Sequence, residues 1–359
     1  MEGVLAELRS HAGDHTPEVD ETRCVHSLLE QAQCRRCVDR CPTGAWVIDD
    51  ELLGIDTERC DGCGLCVPAC PERAIHPPRQ PDVRQWRGRR LVFAACDRID
   101  QVDAEAQVGC LHALDLATLA DWAAQGVTHL VTAAAPCNDC TRQLEERLSA
   151  RLARLNRLLD DRRLPALQWR ELPVPRWRAM WAGTRGARQE MALSRRGFLR
   201  RLSGQALELA LEDPCEGPTQ ASGNPTRPVA KRLGAEGCPG TWFLYAPRID
   251  PQRCTGCDAC LRICPHEALT LDEKAPAYEM DPDACTGCGA CVDVCEVHAV
   301  AVECDVEAPQ WSLPLVGRRC RACGAPFHLP REGDPGTGNA LCPICRQVNH
   351  PARLYQVYT

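Results

Sequence analysis

The spacing of cysteines constrains this chain more than any other feature. Two successive segments of the C-terminal half repeat the spacing C-x2-C-x2-C-x3-C. Their cysteines are Cys254, Cys257, Cys260 and Cys264, followed by Cys285, Cys288, Cys291 and Cys295. Three thiolates spaced three residues apart on a tight loop can hold three irons of one cubane cluster, while the fourth cysteine reaches a neighbouring cluster. The spacing therefore predicts [4Fe-4S] clusters and the transfer of single electrons.

The N-terminal segment carries a second version of this pattern, with one departure. Its cysteines are Cys34, Cys37, Cys41, Cys60, Cys63, Cys66 and Cys70. Prolines follow Cys41 and Cys70, as Pro265 follows the fourth cysteine of the C-terminal run. Gln31, however, stands where the first cysteine belongs. One cluster of this segment therefore needs a fourth ligand from elsewhere.

Cys24 is the candidate that we favour for this fourth ligand. It can return to the iron if the intervening residues 25–33 loop out. The alternative is that Cys24 is a small buried residue or a spectator, in which case a three-iron cluster or a non-cysteine ligand follows. His26 is a weaker candidate, because a single histidine near such a site is most often an ordinary surface residue.

Composition and charge narrow the class of protein. The chain has 27 cysteines among 359 residues. Disulfide scaffolds are much shorter than this chain, so a reducing compartment is favoured. Aromatic residues make up only 4%, and we expect cluster binding to replace part of the missing core because metal binding is coupled to folding. The net charge of -7 predicts no nucleic acid as partner and suits docking to redox proteins.

Targeting signals favour the cytoplasm, with one alternative. No run reaches the roughly 18 apolar residues of a membrane helix, so no transmembrane segment is expected. The segment Ser194–Arg200 resembles the twin-arginine export signal, although it lies in mid-chain. Export through that route is the alternative, with Met191 as the start of a separate exported half.

Changes in composition divide the chain into six segments. They are a mobile arm over 1–20, a cysteine-rich unit over 21–80, an α/β unit over 88–175, a basic helix and linker over 176–237, a second cysteine-rich unit over 238–305 and a C-terminal segment over 306–359. In the α/β unit, hydrophobic patterning predicts strands over 91–95 and 127–134 and helices over 111–124 and 141–161.

Both cysteine-rich units resemble bacterial two-cluster ferredoxins. The resemblance rests on Cys41-Pro42-Thr43-Gly44-Ala45, on residues 70–75 and on residues 264–269. It implies a ferredoxin-like (βαβ)2 fold with two [4Fe-4S] clusters in each unit. The implied ligand sets are Cys254, Cys257, Cys260 and Cys295; Cys285, Cys288, Cys291 and Cys264; Cys60, Cys63, Cys66 and Cys41; and Cys34, Cys37 and Cys70 with the uncertain fourth ligand. Glu296 departs from the proline of the motif, which we expect only to loosen a turn.

Four stretches of the α/β unit carry a family resemblance, and they cover residues 91–96, 108–110, 126–131 and 137–140. On these stretches the unit is similar to the small iron-sulfur subunit of methyl-viologen-reducing hydrogenase. This similarity implies a [2Fe-2S] cluster at strand ends, on Cys96, Cys110, Cys137 and Cys140. The family's cysteine near Ala135 is absent here. The alternative is that these are buried or vestigial thiols of a docking domain.

The C-terminal segment carries two C-x-x-C pairs. Their residues are Cys320 and Cys323, then Cys342 and Cys345. This spacing favours a zinc ribbon with one tetrahedral zinc. A rubredoxin-like single iron is the alternative, although rubredoxins separate their two pairs more widely.

The expected fold is α+β and multi-domain, with two ferredoxin-like cluster domains flanking a small α/β domain and a C-terminal zinc ribbon. The expected function is that of an electron-transfer subunit in a hetero-oligomeric complex with a hydrogenase, a formate dehydrogenase or a heterodisulfide-reductase-like oxidoreductase. The alternatives are a redox-sensing scaffold and an enzyme with chemistry at the middle domain. The sequence has no G-x-G-x-x-G loop, P-loop or nucleophile elbow to support an enzyme.

Overall fold

The computed structural model describes residues 15–48, 53–100, 102–135, 137–142, 147–186, 227–233, 240–336 and 340–347. The chain divides into two compact units. The first comprises Met1–Glu21 and Arg35–Gly240, and the second comprises Thr22–Cys34 and Thr241–Thr359. The short helix α1 (Val25–Leu28) lies in the N-terminal segment of the second unit, just after a 3-10 turn over Glu21–Arg23.

The N-terminal cysteine-rich part, which lies in unit one, consists of short helices and strands. They are β1 (Glu18–Val19), α2 (Arg36–Arg40), β2 (Trp46–Ile48), β3 (Leu53–Ile55) and β4 (Ile75–His76). Strand β1 pairs antiparallel with β4, and β2 pairs antiparallel with β3. Cysteines make up much of the core here, since Cys37 and Cys66 are buried together with Trp46, Val67 and Ile75. Such a small core suits a domain that folds around metal clusters.

The remainder of unit one is built on a mixed sheet. Its elements are β5 (Val83–Trp86), β6 (Arg89–Cys96), β7 (Gln107–Val108), α3 (Leu116–Ala124), β8 (Val127–Ala133), α4 (Leu148–Asp161), β9 (Gln168–Leu172), α5 (Val174–Ala182), β10 (Arg185–Gly186) and α6 (Val229–Arg232). The strand order is β10-β5-β6-β8-β9, and β7 also pairs with β6. Strands β6, β8 and β9 are parallel. Residues 91–96 of β6 are all buried, as expected for a strand covered on both faces.

The predicted strands of this part agree closely with β6 and β8, but both predicted helices begin too early. Residues 111–113 form a 3-10 turn, and Asp115 then caps α3 by accepting a 2.9 Å hydrogen bond from the Thr118 amide. Helix α4 begins at Leu148, and residues 141 and 142 are not helical. The buried leucine face of this helix lies within Leu148–Asp161, and residues 143–146 lie outside the described part of the chain.

Buried apolar and aromatic side chains explain where these helices lie. The buried residues of α4 recur at helical spacing, with Leu148, Leu152, Leu155 and Leu159 on the inner face. Trp177 of α5 has no exposed surface, and its indole nitrogen donates a 3.1 Å hydrogen bond to the Val131 carbonyl oxygen. Helices α3 and α5 contact β8 directly, whereas α4 packs on α3 and on the 3-10 turn at residues 111–113.

Unit two contains the second cysteine-rich part and the C-terminal segment. Its further elements are β11 (Phe243–Ile249), α7 (Ala259–Ile263), β12 (Leu269–Asp272), β13 (Ala277–Met280), α8 (Ala290–Asp293), β14 (Val300–Val306), β15 (Ser312–Arg319), β16 (Pro326–Pro330), a 3-10 turn (Arg331–Gly333) and α9 (Pro343–Gln347). Strands β11 and β14 pair antiparallel. A four-stranded sheet has the order β12-β13-β15-β16. The C-terminal segment therefore shares a sheet with the second cysteine-rich segment.

The mixed α/β content predicted from the sequence is confirmed. Within the parts of the chain that the structure describes, no helix has both the length and the apolar character needed to cross a membrane.

Candidate metal centres

The cysteines of unit two form two neighbouring sets. Burial raises the pKa of Cys260 to about 12, and the thiols of Cys254, Cys257 and Cys295 raise it further. Burial also raises the pKa of Cys291. The thiols next to Cys291 are those of Cys288, Cys285, Cys260 and Cys264. The fourth cysteine of each run thus lies beside the first three of the other run.

A buried thiolate is costly unless something compensates its charge, and a cluster iron does so. Four thiols gathered at each of two places, each place with at least one buried thiol, are therefore a donor set that fits an iron-sulfur cluster.

The loops that carry these thiols depend on left-handed backbone. Gly256 and Gly289 have φ values of 71° and 90°, and Asp258 has 63°. A side chain at Gly256 would overlap the carbonyl oxygen of His328, so this position has both a conformational and a steric reason to be glycine. These turns bring successive cysteines of one run to the same side of the loop.

The last cysteine of each of the four runs accepts a backbone hydrogen bond from the amide four residues further on. The pairs are Cys41 and Ala45 (3.3 Å), Cys70 and Ala74 (3.3 Å), Cys264 and Ala268 (3.3 Å), and Cys295 and Ala299 (3.2 Å). An N–H donor stabilises a thiolate, and hydrogen bonds to sulfur tune a cluster's potential. The bond at Cys295 forms although Glu296 replaces the proline.

In unit one the structure gathers part of the predicted N-terminal set. Burial raises the pKa of Cys66 to about 12, and the thiols of Cys41, Cys37 and Cys60 lie near it. Burial likewise raises the pKa of Cys60, with Cys41 beside it. Cys63 is buried against Cys110 of the mixed sheet.

The cysteines expected around the irregular cluster fall in both units. Cys24 precedes α1 and, like Cys34, belongs to unit two, whereas Cys37 and Cys70 belong to unit one. The Nε2 atom of His26 donates a 2.7 Å hydrogen bond to the Cys34 carbonyl oxygen. The four-residue set with Cys24 stays a prediction.

The four cysteines of the mixed sheet surround one pocket. Cys96 ends β6, Cys110 follows β7, and Cys137 and Cys140 follow β8. All four line a pocket of about 160 Å3. Burial raises the pKa of Cys96 to about 12 and that of Cys110 to about 11, and Cys137 and Cys140 are neighbours of Cys110. The carboxyl ends of parallel strands are where ligands gather in such sheets, and this set of soft donors fits an iron-sulfur group.

Sequence reasoning missed Arg142, which lines the same pocket. Its guanidinium bonds to Asp61 and Asp97, which are 81 and 45 residues away. The only signal in the sequence was that Asp61 and Asp97 each follow a candidate ligand directly, at Cys60 and Cys96. Nothing local connects these two carboxylates with Arg142.

The C-terminal cysteines form a compact group suited to a single ion. The sulfur atoms of Cys320, Cys323, Cys342 and Cys345 all lie within 4.8 Å of one another. Backbone N–H groups donate hydrogen bonds to the Cys320 thiol and lower its pKa to about 6. The N–H group of Cys342 has the largest effect. Four sulfurs at this spacing can surround one tetrahedral metal ion.

Three of the sequence predictions concern residues outside the described part of the chain. They are the twin-arginine-like stretch Ser194–Arg200 with Met191, residues 1–14 of the predicted arm, and residues 187–226 and 234–237 of the predicted basic helix and linker.

Comparison with protein families agrees with the cysteine patterns. The profile of the 4Fe-4S dicluster domain matches residues 253–299. Profiles of the 4Fe-4S binding domain match residues 53–76 and 23–45. The chain is an iron-sulfur protein of the 4Fe-4S ferredoxin type. The predicted ferredoxin domains and multiple [4Fe-4S] clusters are confirmed.

Relatives of this ferredoxin-type protein include subunits of oxidoreductases. It is 38% identical over 75 residues to a subunit of the ion-translocating oxidoreductase complex of Methanosarcina acetivorans, covering 21% of this chain and 26% of the relative. It is 38% identical over 115 residues to an iron-sulfur protein of Rhodospirillum rubrum, covering 30% and 56%. It is 36% identical over 64 residues to pyruvate synthase subunit PorD of Methanothermobacter marburgensis, covering 18% and 67%. The chain thus spans between a quarter and two thirds of the length of these relatives.

Proposed function

We propose that this chain is an electron-transfer subunit or adaptor, which relays single electrons between an oxidoreductase and an acceptor in a hetero-oligomeric complex. A multi-cluster electron-transfer role is supported by the names of the relatives, which are oxidoreductase subunits and iron-sulfur proteins. The proposed partners are a hydrogenase, a formate dehydrogenase or a heterodisulfide-reductase-like enzyme.

The observation that carries the proposal is the contact between the two cysteine sets of unit two. Cys260 of one set and Cys291 of the other both belong to one buried core with Tyr278 and Leu313. Adjacent ligand sets in one core keep two redox centres close together and away from water. That arrangement suits the passage of electrons from one centre to the next.

The residues of the chain have three tasks in this function. The thiolates hold the metal, the backbone N–H groups at Ala268 and Ala299 stabilise the sulfurs, and the buried core excludes water. When bound, each cluster supplies a one-electron couple whose potential depends on these hydrogen bonds and on solvent exposure.

Three finer assignments belong to the same proposal. Cys96, Cys110, Cys137 and Cys140 hold a [2Fe-2S] cluster, which their common pocket supports. The C-terminal cysteines hold one zinc, with a single iron as the alternative. Cys24 is the fourth ligand of the irregular cluster, since the match to a 4Fe-4S binding domain over 23–45 includes it with Cys34 and Cys37.

We propose a cytoplasmic location, with twin-arginine export as the alternative. Fractionation of cells that produce a tagged full-length chain tests this. Protein outside the cytoplasm that disappears from there in Arg195→Lys/Arg196→Lys would favour export.

The function is tested by stopped-flow mixing of the anaerobic, fully loaded chain with one-electron dyes and with the isolated candidate partner. We expect fast, reversible bleaching of the iron-sulfur absorption and no turnover of a small substrate by the chain alone. Cys291→Ala should remove one redox couple, whereas Cys304→Ala, at an exposed cysteine of β14, should remove none. Substrate turnover without a partner would favour the enzyme alternative, and redox-dependent partner binding without electron exchange would favour the sensor.

A further inference from the structure

The N-terminal cysteine-rich part and the mixed sheet meet at Cys63 and Cys110. These two residues are 7% and 5% exposed and share one buried cluster with Leu65 and Ala113. Both belong to unit one. Cys63 lies in the ligand run of the ferredoxin-like part, and Cys110 lines the four-cysteine pocket.

The backbones at this junction are in direct contact. A Cβ atom at Gly109 would overlap the carbonyl oxygen of Gly62 and would lie 2.9 Å from the Cα atom of Cys63. Likewise, a Cβ atom at Gly64 would lie 3.2 Å from the Cβ atom of Ala113. Residues next to the candidate ligands Cys63 and Cys110 thus pack without any side chain between them.

Arg142 ties this junction together with one guanidinium group. Its Nε atom donates to Asp61 (2.9 Å), and its two terminal nitrogens donate to the two Asp97 oxygens (2.8 Å each). One terminal nitrogen also donates to the Gly109 carbonyl oxygen (2.6 Å). The Arg142 side chain is only 3% exposed, whereas the Asp61 and Asp97 side chains are 29% and 31% exposed, so these charge-assisted bonds are partly shielded from water.

Each acceptor of Arg142 lies next to a candidate ligand of one of the two sites. Asp61 follows Cys60, and its other oxygen accepts a 3.1 Å hydrogen bond from the Cys63 amide. Asp97 follows Cys96, and Gly109 precedes Cys110. Arg142 itself is two residues after Cys140. The planar fork of arginine can bond several acceptors in fixed directions, which the ammonium group of lysine cannot do.

We infer that Arg142 is a positioning residue that holds the Cys60–Cys66 loop against the four-cysteine pocket, and that electrons cross between the two sites at Cys63 and Cys110. A crossing moves one electron, so the donating site is oxidised by one charge and the receiving site is reduced by one, and no bond breaks. This inference rests on the proposed [2Fe-2S] site and adds the route to it and the residue that maintains that route.

The test compares the fully loaded chain with Arg142→Met and Asp61→Asn after reduction by dithionite. Electron paramagnetic resonance of the wild-type chain should show the [2Fe-2S] signal broadened by spin–spin coupling to the reduced cluster across the junction. Arg142→Met should lose this broadening while iron and sulfide contents are retained. Hydrogen exchange of the amides at 61–63 and 109–110 should become faster in the same variant.

Asp61→Asn tests whether Arg142 positions the two sites if Arg142→Met fails to fold or loses iron. The asparagine can keep the acceptor for the Cys63 amide but places an N–H donor against Arg142, so the broadening should again be lost. Arg84→Met is the matched control, because Arg84 bonds to Thr184 and Glu105 and stacks on Trp181, away from the junction. It should keep the broadening.

Two results overturn the inference, and they are distinguishable. Broadening that survives in both Arg142→Met and Asp61→Asn shows that Arg142 does not position the two sites, while the proposed clusters stand. A wild-type chain with full ferredoxin clusters but no [2Fe-2S] signal removes the middle site from the proposed function and this inference with it.

Discussion

The hydroxyl of Tyr278 donates a 2.6 Å hydrogen bond to the carboxylate of Asp258, which lies between the candidate ligands Cys257 and Cys260. His328 of β16 donates from Nε2 to the same oxygen over 2.8 Å. Burial and the Asp258 carboxylate raise the pKa of Tyr278, so the hydroxyl remains a donor at neutral pH. The sheet that continues into the C-terminal segment therefore supports a ligand loop of the second cysteine-rich segment.

Tyr278→Phe should destabilise unit two without removing its clusters. Tyr278 is 1% exposed, and the substitution leaves Asp258 short of one buried donor. A hydrogen bond to a charged group contributes about 1.5–3 kcal/mol, so the free energy of unfolding should fall by that order. Denaturant unfolding followed by circular dichroism measures this free energy.

Ser312→Ala is the control. It removes an exposed hydrogen bond to Glu279 in the same sheet and should change the free energy of unfolding by no more than about 0.5 kcal/mol. An equal fall in the free energy of unfolding in both variants would contradict the stabilising role of the Tyr278 hydroxyl.

Removal of the C-terminal metal should leave the iron-sulfur spectrum intact. Zinc held by four thiolates contributes folding energy and is redox-inert, so Cys342→Ser should release the metal and expose the last residues to protease. Metal analysis and limited proteolysis measure this. Cys304→Ser changes an exposed cysteine outside the four-sulfur group and is the control. It should change neither the metal content nor the protease sensitivity. One additional iron in place of zinc would identify the rubredoxin-like alternative.

Cys24→Ala should convert only the irregular cluster to a three-iron form, because one iron would lose its thiolate. The paramagnetic spectrum of the oxidised protein detects such a cluster. Adding Gln31→Cys to the same variant should restore the four-iron form, since it supplies the cysteine at the regular position of the motif. A spectrum unchanged by Cys24→Ala would make this residue a bystander.

Full loading should bring about sixteen irons in four [4Fe-4S] clusters and about two more in the middle domain. One zinc should accompany them at the C-terminal site. Iron, acid-labile sulfide and zinc assays on anaerobically prepared protein give these values. About eight irons or fewer after reconstitution would exclude two complete two-cluster domains.

The sequence alone determined the chemistry of the ferredoxin-type segments. Ligand spacing within Cys254–Cys264 or Cys285–Cys295 is a local property, because a short loop places its own thiols. The buried strand over 91–95 was also readable, since an apolar run bounded by polar residues carries its own signal. The first residues of α3 and α4 could not be read from the sequence. The cap at Asp115 decides where α3 begins, and the buried leucine face decides where α4 begins.

Only the tertiary structure decided how these local pieces meet. Cys96, Cys110 and Cys140 converge because parallel strands end at one edge of a sheet, and which strands become neighbours is not encoded within any of them. The pairing of β13 with β15 and the bond from Arg142 to Asp61 join residues that are far apart in sequence. Such contacts depend on sheet order and on the burial of charge in the folded chain. Residue spacing therefore predicts the candidate metal ligands, whereas long-range packing sets the contacts between them.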